Sequence, residues 1–279
     1  MLTTWRHSII MSSQMEMLEI PAADPVAITI STAIRDGDLP TLRTLLSKHP
    51  NLATAFITSP GPDGQPEGRT LLHIATDWPG HFPNVASTIQ VLASAGADVS
   101  APFRGGTHEE TPLHWAASTD DVEALDALCA EGAAIEAPGS VLGGGSPLAD
   151  AVGFRQWRAA QRLVERGAVV TIAQAAGLGM TERVEAMLLV RDGDPTVGEE
   201  DVSRAFWYAC HGGRLDEARI LARHGADVNW RPPWDEDTRP LDAAREEGGE
   251  ELVRWLREQG AMTGRGDDGN PHDEKASAR

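Results

Sequence analysis

A short opening recurs along this chain. Thr70-Leu71-Leu72-His73-Ile74-Ala75 returns as Thr111-Pro112-Leu113-His114-Trp115-Ala116. Looser copies follow at Ser146-Pro147-Leu148-Ala149-Asp150-Ala151 and Arg239-Pro240-Leu241-Asp242-Ala243-Ala244. Self-similarity at a period of a few tens of residues constrains a fold more than composition does, because each copy is one small unit that must stack on the next to bury its apolar side. At the place His73 occupies, the series is Ser31, His73, His114, Ala149, Ala173, Trp207 and Asp242, with steps of 42, 41, 35, 24, 34 and 35. The common step is 34 to 35, two steps carry insertions and one is short. About seven units result, over residues 25–262.

The physics of one unit is local. A hydroxyl residue followed by Pro starts a helix, since the side-chain oxygen accepts an orphan backbone donor and Pro suits the first turn. Alanine pairs such as Ala116-Ala117 and Ala175-Ala176 let that helix approach its neighbours closely. Gly37, Gly179 and Gly213 permit a turn into a second helix, whose apolar residues keep helical spacing, as at Val122, Leu125 and Leu128. Small-residue stops then close the unit at Gly96-Ala97-Asp98, Gly132-Ala133, Gly167-Ala168, Gly225-Ala226-Asp227 and Gly260-Ala261.

The Thr-Pro-Leu-His-x-Ala opening at His73 and His114, with the Gly-Ala-Asp-Val closing at Gly96 and Gly225, resembles the ankyrin-repeat family. The resemblance implies an all-α solenoid of about seven helix-turn-helix units joined by β-hairpin-like fingers, with a concave face that binds partners. It also implies that His73 and His114 stitch neighbouring units together through backbone hydrogen bonds. Two departures stand out. The fifth unit, Thr171 to Leu188, follows Gly167-Ala168 with no room for a finger, and the second unit carries an insertion, Trp78 to Pro83, between its helices.

Outside the repeats, residues 1–24 read as a loose lead holding four Met residues, any of which suits a start, and without a signal-peptide core. Residues 263–279 read as a disordered acidic tail, in which Arg265-Gly266-Asp267 is a chance tripeptide. The chain carries 24 Lys and Arg against 42 Asp and Glu, a net charge of −18, which argues against nucleic acid as a partner. No apolar run is long enough to span a membrane. Two cysteines, Cys129 and Cys210, cannot build a disulfide framework, so a cytoplasmic setting is expected. The basic residues are nearly all Arg, a bias expected of a GC-rich bacterial gene. No Cys or His pair stands at zinc-ligand spacing, Gly143-Gly144-Gly145-Ser146 lacks the lysine of a phosphate loop, and neither metal nor cofactor is expected.

Eight of the fourteen aromatic residues are Trp, more than a core of Leu and Ala needs. Under the resemblance, the concave face carries Trp115, Asp150, Phe154, Tyr208 and His211. The insertion adds Trp78, His81 and Phe82 on the same side, and the fingers add Arg104, Trp230 and Trp234, with Arg155 beside Phe154. Trp, Tyr and Arg anchor protein partners in desolvated pockets. The leading expectation is therefore a non-catalytic scaffold that binds a protein in an aromatic-rich groove. The competing one is a small-molecule pocket or metal-free enzyme beneath the 78–83 insertion, drawing on His81, His108 or His211 with Asp77, Asp150 or Glu110.

Overall fold

The computed structural model describes residues 18–264, apart from 62, 63, 107, 192–196, 236 and 248. Fourteen α-helices appear among the described residues, and they follow one another in pairs. These are α1 (Pro25–Arg35) with α2 (Leu39–Lys48), α3 (Leu71–Thr76) with α4 (Val85–Ser94), and α5 (Pro112–Ser118) with α6 (Val122–Ala130). Next come α7 (Pro147–Gly153) with α8 (Trp157–Glu165) and α9 (Ile172–Leu178) with α10 (Thr181–Arg191). The last are α11 (Glu199–His211) with α12 (Leu215–Arg223) and α13 (Pro240–Glu247) with α14 (Glu250–Glu258).

The first helices of the pairs form one row, α1 on α3, α3 on α5, α5 on α7, α7 on α9, α9 on α11 and α11 on α13. Alanine makes this spacing possible. Ala116, Ala117, Ala151, Ala175, Ala176, Ala205, Ala209 and Ala244 are all fully buried between successive helices, and Leu from each opening fills the layer beneath. The core is therefore a continuous strip, not a central ball. At the tightest crossing, a Cβ placed on Gly212 would fall 2.2 Å from the Gly177 carbonyl oxygen. The turn glycines hold the left-handed backbone expected of them, with φ of +73° at Gly179 and +68° at Gly213.

The openings close as the sequence predicts, and the structure explains the variation within the motif. The Nδ1 of His73 accepts from the Thr70 N–H (3.2 Å), and that of His114 from the Thr111 N–H (3.0 Å). That assigns the remaining proton to Nε2, which donates to the next linker, at Glu110 O (3.0 Å) and Gly145 O (3.2 Å). Trp207 stands at the same repeat position and makes the same stitch with a different group, its Nε1 donating to Thr238 O (3.2 Å). Trp207→Phe keeps the packing and deletes the donor, so a loss of about 1 kcal/mol is expected in urea unfolding. Hydrogen exchange should locate the change at 235–239, and unchanged protection there would contradict the stitch.

Three differences from the sequence reading concern the chain ends and the sheet. The fold is mostly helical but not all-α. The long first linker, from His49 to Thr70, has room for an antiparallel hairpin of β2 (Phe56–Pro60) and β3 (Pro66–Thr70), built on β-favouring Phe56, Ile57 and Thr58. The strand β1 (Glu19–Pro21) adds to β2 in parallel. Part of the N-terminal lead is therefore tied down, and Asp24 caps α1 by accepting from the Val26 N–H (2.8 Å). At the other end Thr263 is buried and the Gly264 N–H bonds Asp242 Oδ2 (2.7 Å). Residues 1–17 and 265–279, including Arg265-Gly266-Asp267, lie outside the described residues.

Candidate functional site

The expected site residues fall into three places rather than one. The largest gathering is on α11 and the linker that follows α12. Trp207 stacks on His211, with ring centroids 4.9 Å apart, and meets Trp234 edge-on at 5.7 Å. Tyr208 lies 6.2 Å from Trp234, and Trp234 lies 5.8 Å from Trp230. Tyr208, His211, Trp230 and Trp234 are thus brought together, four of the twelve residues expected at one groove. Trp207, which had been counted only as a repeat position, is their hub. Its signal was available, because a ring at a His position must point at the next linker.

Within this cluster exposure is graded. Trp207 and His211 are buried, Tyr208 and Trp230 are half-buried, and Trp234 is 47% exposed. His211 Nε2 donates to Gly153 O at 3.1 Å, and burial, with Arg155 nearby, lowers its pKa to about 4. It is a neutral wall of the cluster. Arg155 lies behind it, with Nε on the His211 carbonyl oxygen (3.2 Å) and Nη2 on Glu246 (2.9 Å). That side chain ties the α7–α8 turn to α13, so its charge is matched within the protein. Phe154, beside it, is 43% exposed.

The second gathering lies around Trp115. Its ring sits 4.8 Å from that of His73 and 5.8 Å from that of Phe103, and its Nε1 donates to Glu110 Oε2 (3.1 Å). His108 Nδ1 is 2.9 Å from the same oxygen. Beside Glu110 lies Asp150, expected to line the groove and found fully buried. Ser140 Oγ donates to Asp150 Oδ1 (2.5 Å), whereas Oδ2 has no hydrogen-bond partner among the described residues. Burial, helped by Glu110, pushes the Asp150 carboxyl up to about 8. At neutral pH it therefore keeps its proton. Contrary to the expectation from the sequence, the α6–α7 linker folds back over Asp150, which braces the linker base instead of lining the groove. Arg104, at the neighbouring linker, lays its guanidinium 3.8 Å from the Phe56 ring centroid and holds the β3 edge through Gly68.

Trp78, His81 and Phe82 stand apart. The insertion runs along the row of inter-helix turns rather than beside the linkers that carry the other rings. The His81 N–H donates to Asp121 Oδ2 (2.6 Å), its Nε2 meets Thr119 O (3.1 Å), and Asn84 Nδ2 donates to Gly37 O (3.0 Å). The segment thus bridges the turn before it to the turn after it. Phe82 is half-buried there, and Trp78 is 81% exposed with its ring outward.

A cleft of about 640 Å³ opens beside the first gathering. Its floor is the start of α9 and the Asp201, Arg204 and Tyr208 face of α11. One wall is the 138–145 linker and the other carries Pro233 and Trp234.

Against known proteins, the model of the family described as Ankyrin repeat matches residues 108–140, the stretch from His108 through α5 and α6 to Ser140. Residues 108–140 thus match one ankyrin repeat. A palmitoyltransferase, AKR1, of Kluyveromyces lactis is 35% identical over 112 residues, which is 39% of this chain and 13% of that protein. The chain spans so little of that relative that the transferase activity in its name stays with the relative. No helix among the described residues is long and apolar enough to cross a membrane, and none of their His, Cys, Asp and Glu groups is arranged to hold a metal ion.

Proposed function

We propose that the seven helical pairs act as one ankyrin solenoid, over residues 25–262, and serve as a non-catalytic scaffold that binds a protein partner. The contact surface is centred on Tyr208, Trp230 and Trp234. The observation that carries this reading is the connected run of rings from buried His211 and Trp207 outward to Trp234. Rings fixed by neighbours lose little side-chain entropy on binding, and a half-exposed indole at the rim supplies an anchor. Chemistry in the same groove is not favoured: the group best suited to proton transfer, Asp150, is sealed, and the 78–83 insertion is bonded to the turns on either side of it. Trp115, Phe154 and the exposed Trp78 lie outside this centre.

The test is capture of the partner from native cytosol by the full chain and by Trp234→Ala and Tyr208→Ala variants, each followed by thermal unfolding. Both variants are expected to weaken capture about tenfold or more while the melting temperature moves little, as befits rim positions. Capture that is indifferent to both substitutions overturns the proposed surface.

A further inference from the structure

The cleft beside Trp234 lies where a long linker is missing between α8 and α9. Linkers 95–111, 131–146 and 224–239 each run to about half the repeat length, whereas α8 reaches α9 through residues 166–171 alone. Elsewhere each long linker is held by its neighbour along the row. The Gly68 N–H donates to Arg104 O (2.7 Å) and the Ala134 N–H to Ser100 Oγ (2.9 Å). Asn229 Nδ2 donates to Gly260 O (3.2 Å), and its Oδ1 accepts from the Met262 N–H (2.7 Å). Beyond 131–146 the pairing shrinks to the Glu136–Val169 contact with the short 166–171 link, and 131–146 and 224–239 stand as walls of an open slot floored by α9 and α11.

We infer that this slot receives a protruding, finger-like loop of the partner protein, one carrying a Lys or Arg together with an apolar residue. The inference rests on the proposed aromatic surface and adds what the partner must present. Leu142 on one wall and Trp234 on the other supply apolar contact. The charge is specific: Glu136 accepts the Val169 N–H (2.8 Å) but faces no cationic side chain within ion-pair distance among the described residues. Asp201 and Glu200 already match Arg204, at 3.8 and 3.3 Å, and Glu199 adds a further negative charge on the same turn. A basic loop tip complements this balance, and an acidic one is repelled.

The probe is a phage-displayed library of disulfide-closed loop peptides selected against the full chain. Selected loops are synthesised and their binding is measured by fluorescence anisotropy. Enriched loops should carry a basic and an apolar residue, and should lose about tenfold or more in affinity on Glu136→Lys. A second variant, with residues 98–110 copied between Val169 and Val170, fills the slot with an internal finger and should abolish binding. Loops that depend on Trp234 yet tolerate both slot variants would keep the aromatic surface and overturn the slot. Loops indifferent to Trp234→Ala as well would overturn both readings. Failure to enrich any loop, or enrichment of acidic ones, would also overturn the slot.

Discussion

Asp150→Asn should make this protein more stable at pH 7.5, by on the order of 2 kcal/mol, or roughly 4–8 °C in melting temperature. In the native fold Asp150 is fully buried, held by Ser140 on one oxygen and close to Glu110, with His108 and Tyr208 the next titratable groups. Its pKa rises from 3.8 to about 8, so between those values the folded chain holds a proton that the unfolded chain has lost. Stability from this group therefore falls as pH climbs through that window and levels off above it. Asn keeps an acceptor for Ser140 and stays neutral, which reproduces the protonated acid without the pH dependence.

Three histidines act in the opposite sense. Burial lowers His73, His114 and His211 from 6.5 to about 4, so the unfolded chain binds protons first and stability drains as pH falls from 6.5 toward 4. The wild-type melting temperature should then peak near pH 6.5 and decline on both sides. Asp150→Asn should erase the alkaline decline and leave the acid one. Calorimetry between pH 5 and pH 9 checks both limbs, and a variant less stable than wild type at pH 8 would contradict the proton-holding role.

Gly212→Ala is the second large effect. The added methyl would meet the Gly177 carbonyl oxygen at 2.2 Å, and backbone of a packed helix cannot withdraw as a flexible side chain can. The α9–α11 crossing must open instead, at a cost of about 1–3 kcal/mol. Because α11 also carries Trp207 and Tyr208, the shift moves those rings against Trp234, and partner capture should fall together with stability. Gly249→Ala is the control, since its φ of −79° suits any residue and its nearest contact is 3.6 Å. Equal melting temperatures for the two variants would refute the close approach.

How much of this could be read from sequence follows the range of each interaction. The opening motifs, turn glycines, Gly closings and missing finger before Thr171 depend on residues a few positions apart. They could be read without coordinates, and the structure repeats them helix by helix. The hairpin at 56–70 was less legible because a long linker admits several conformations, and only its pairing with Glu19–Pro21 makes it a sheet.

The site divides in the same way. From sequence alone came the repeat register, and with it the placing of Tyr208, His211, Trp230 and Trp234 on one face together with Trp115, Asp150, Phe154 and the 78–82 residues. The tertiary structure alone decided that Asp150 lies under the α6–α7 linker, that Arg155 is spent on Glu246, and that the Trp78 segment runs along the turns. It also made Trp207 the hub of the rings. A repeat fixes which way a side chain leaves its own helix, over a few ångströms of backbone. Whether water, a linker or another ring meets it there depends on segments tens of residues away, whose lengths vary from unit to unit.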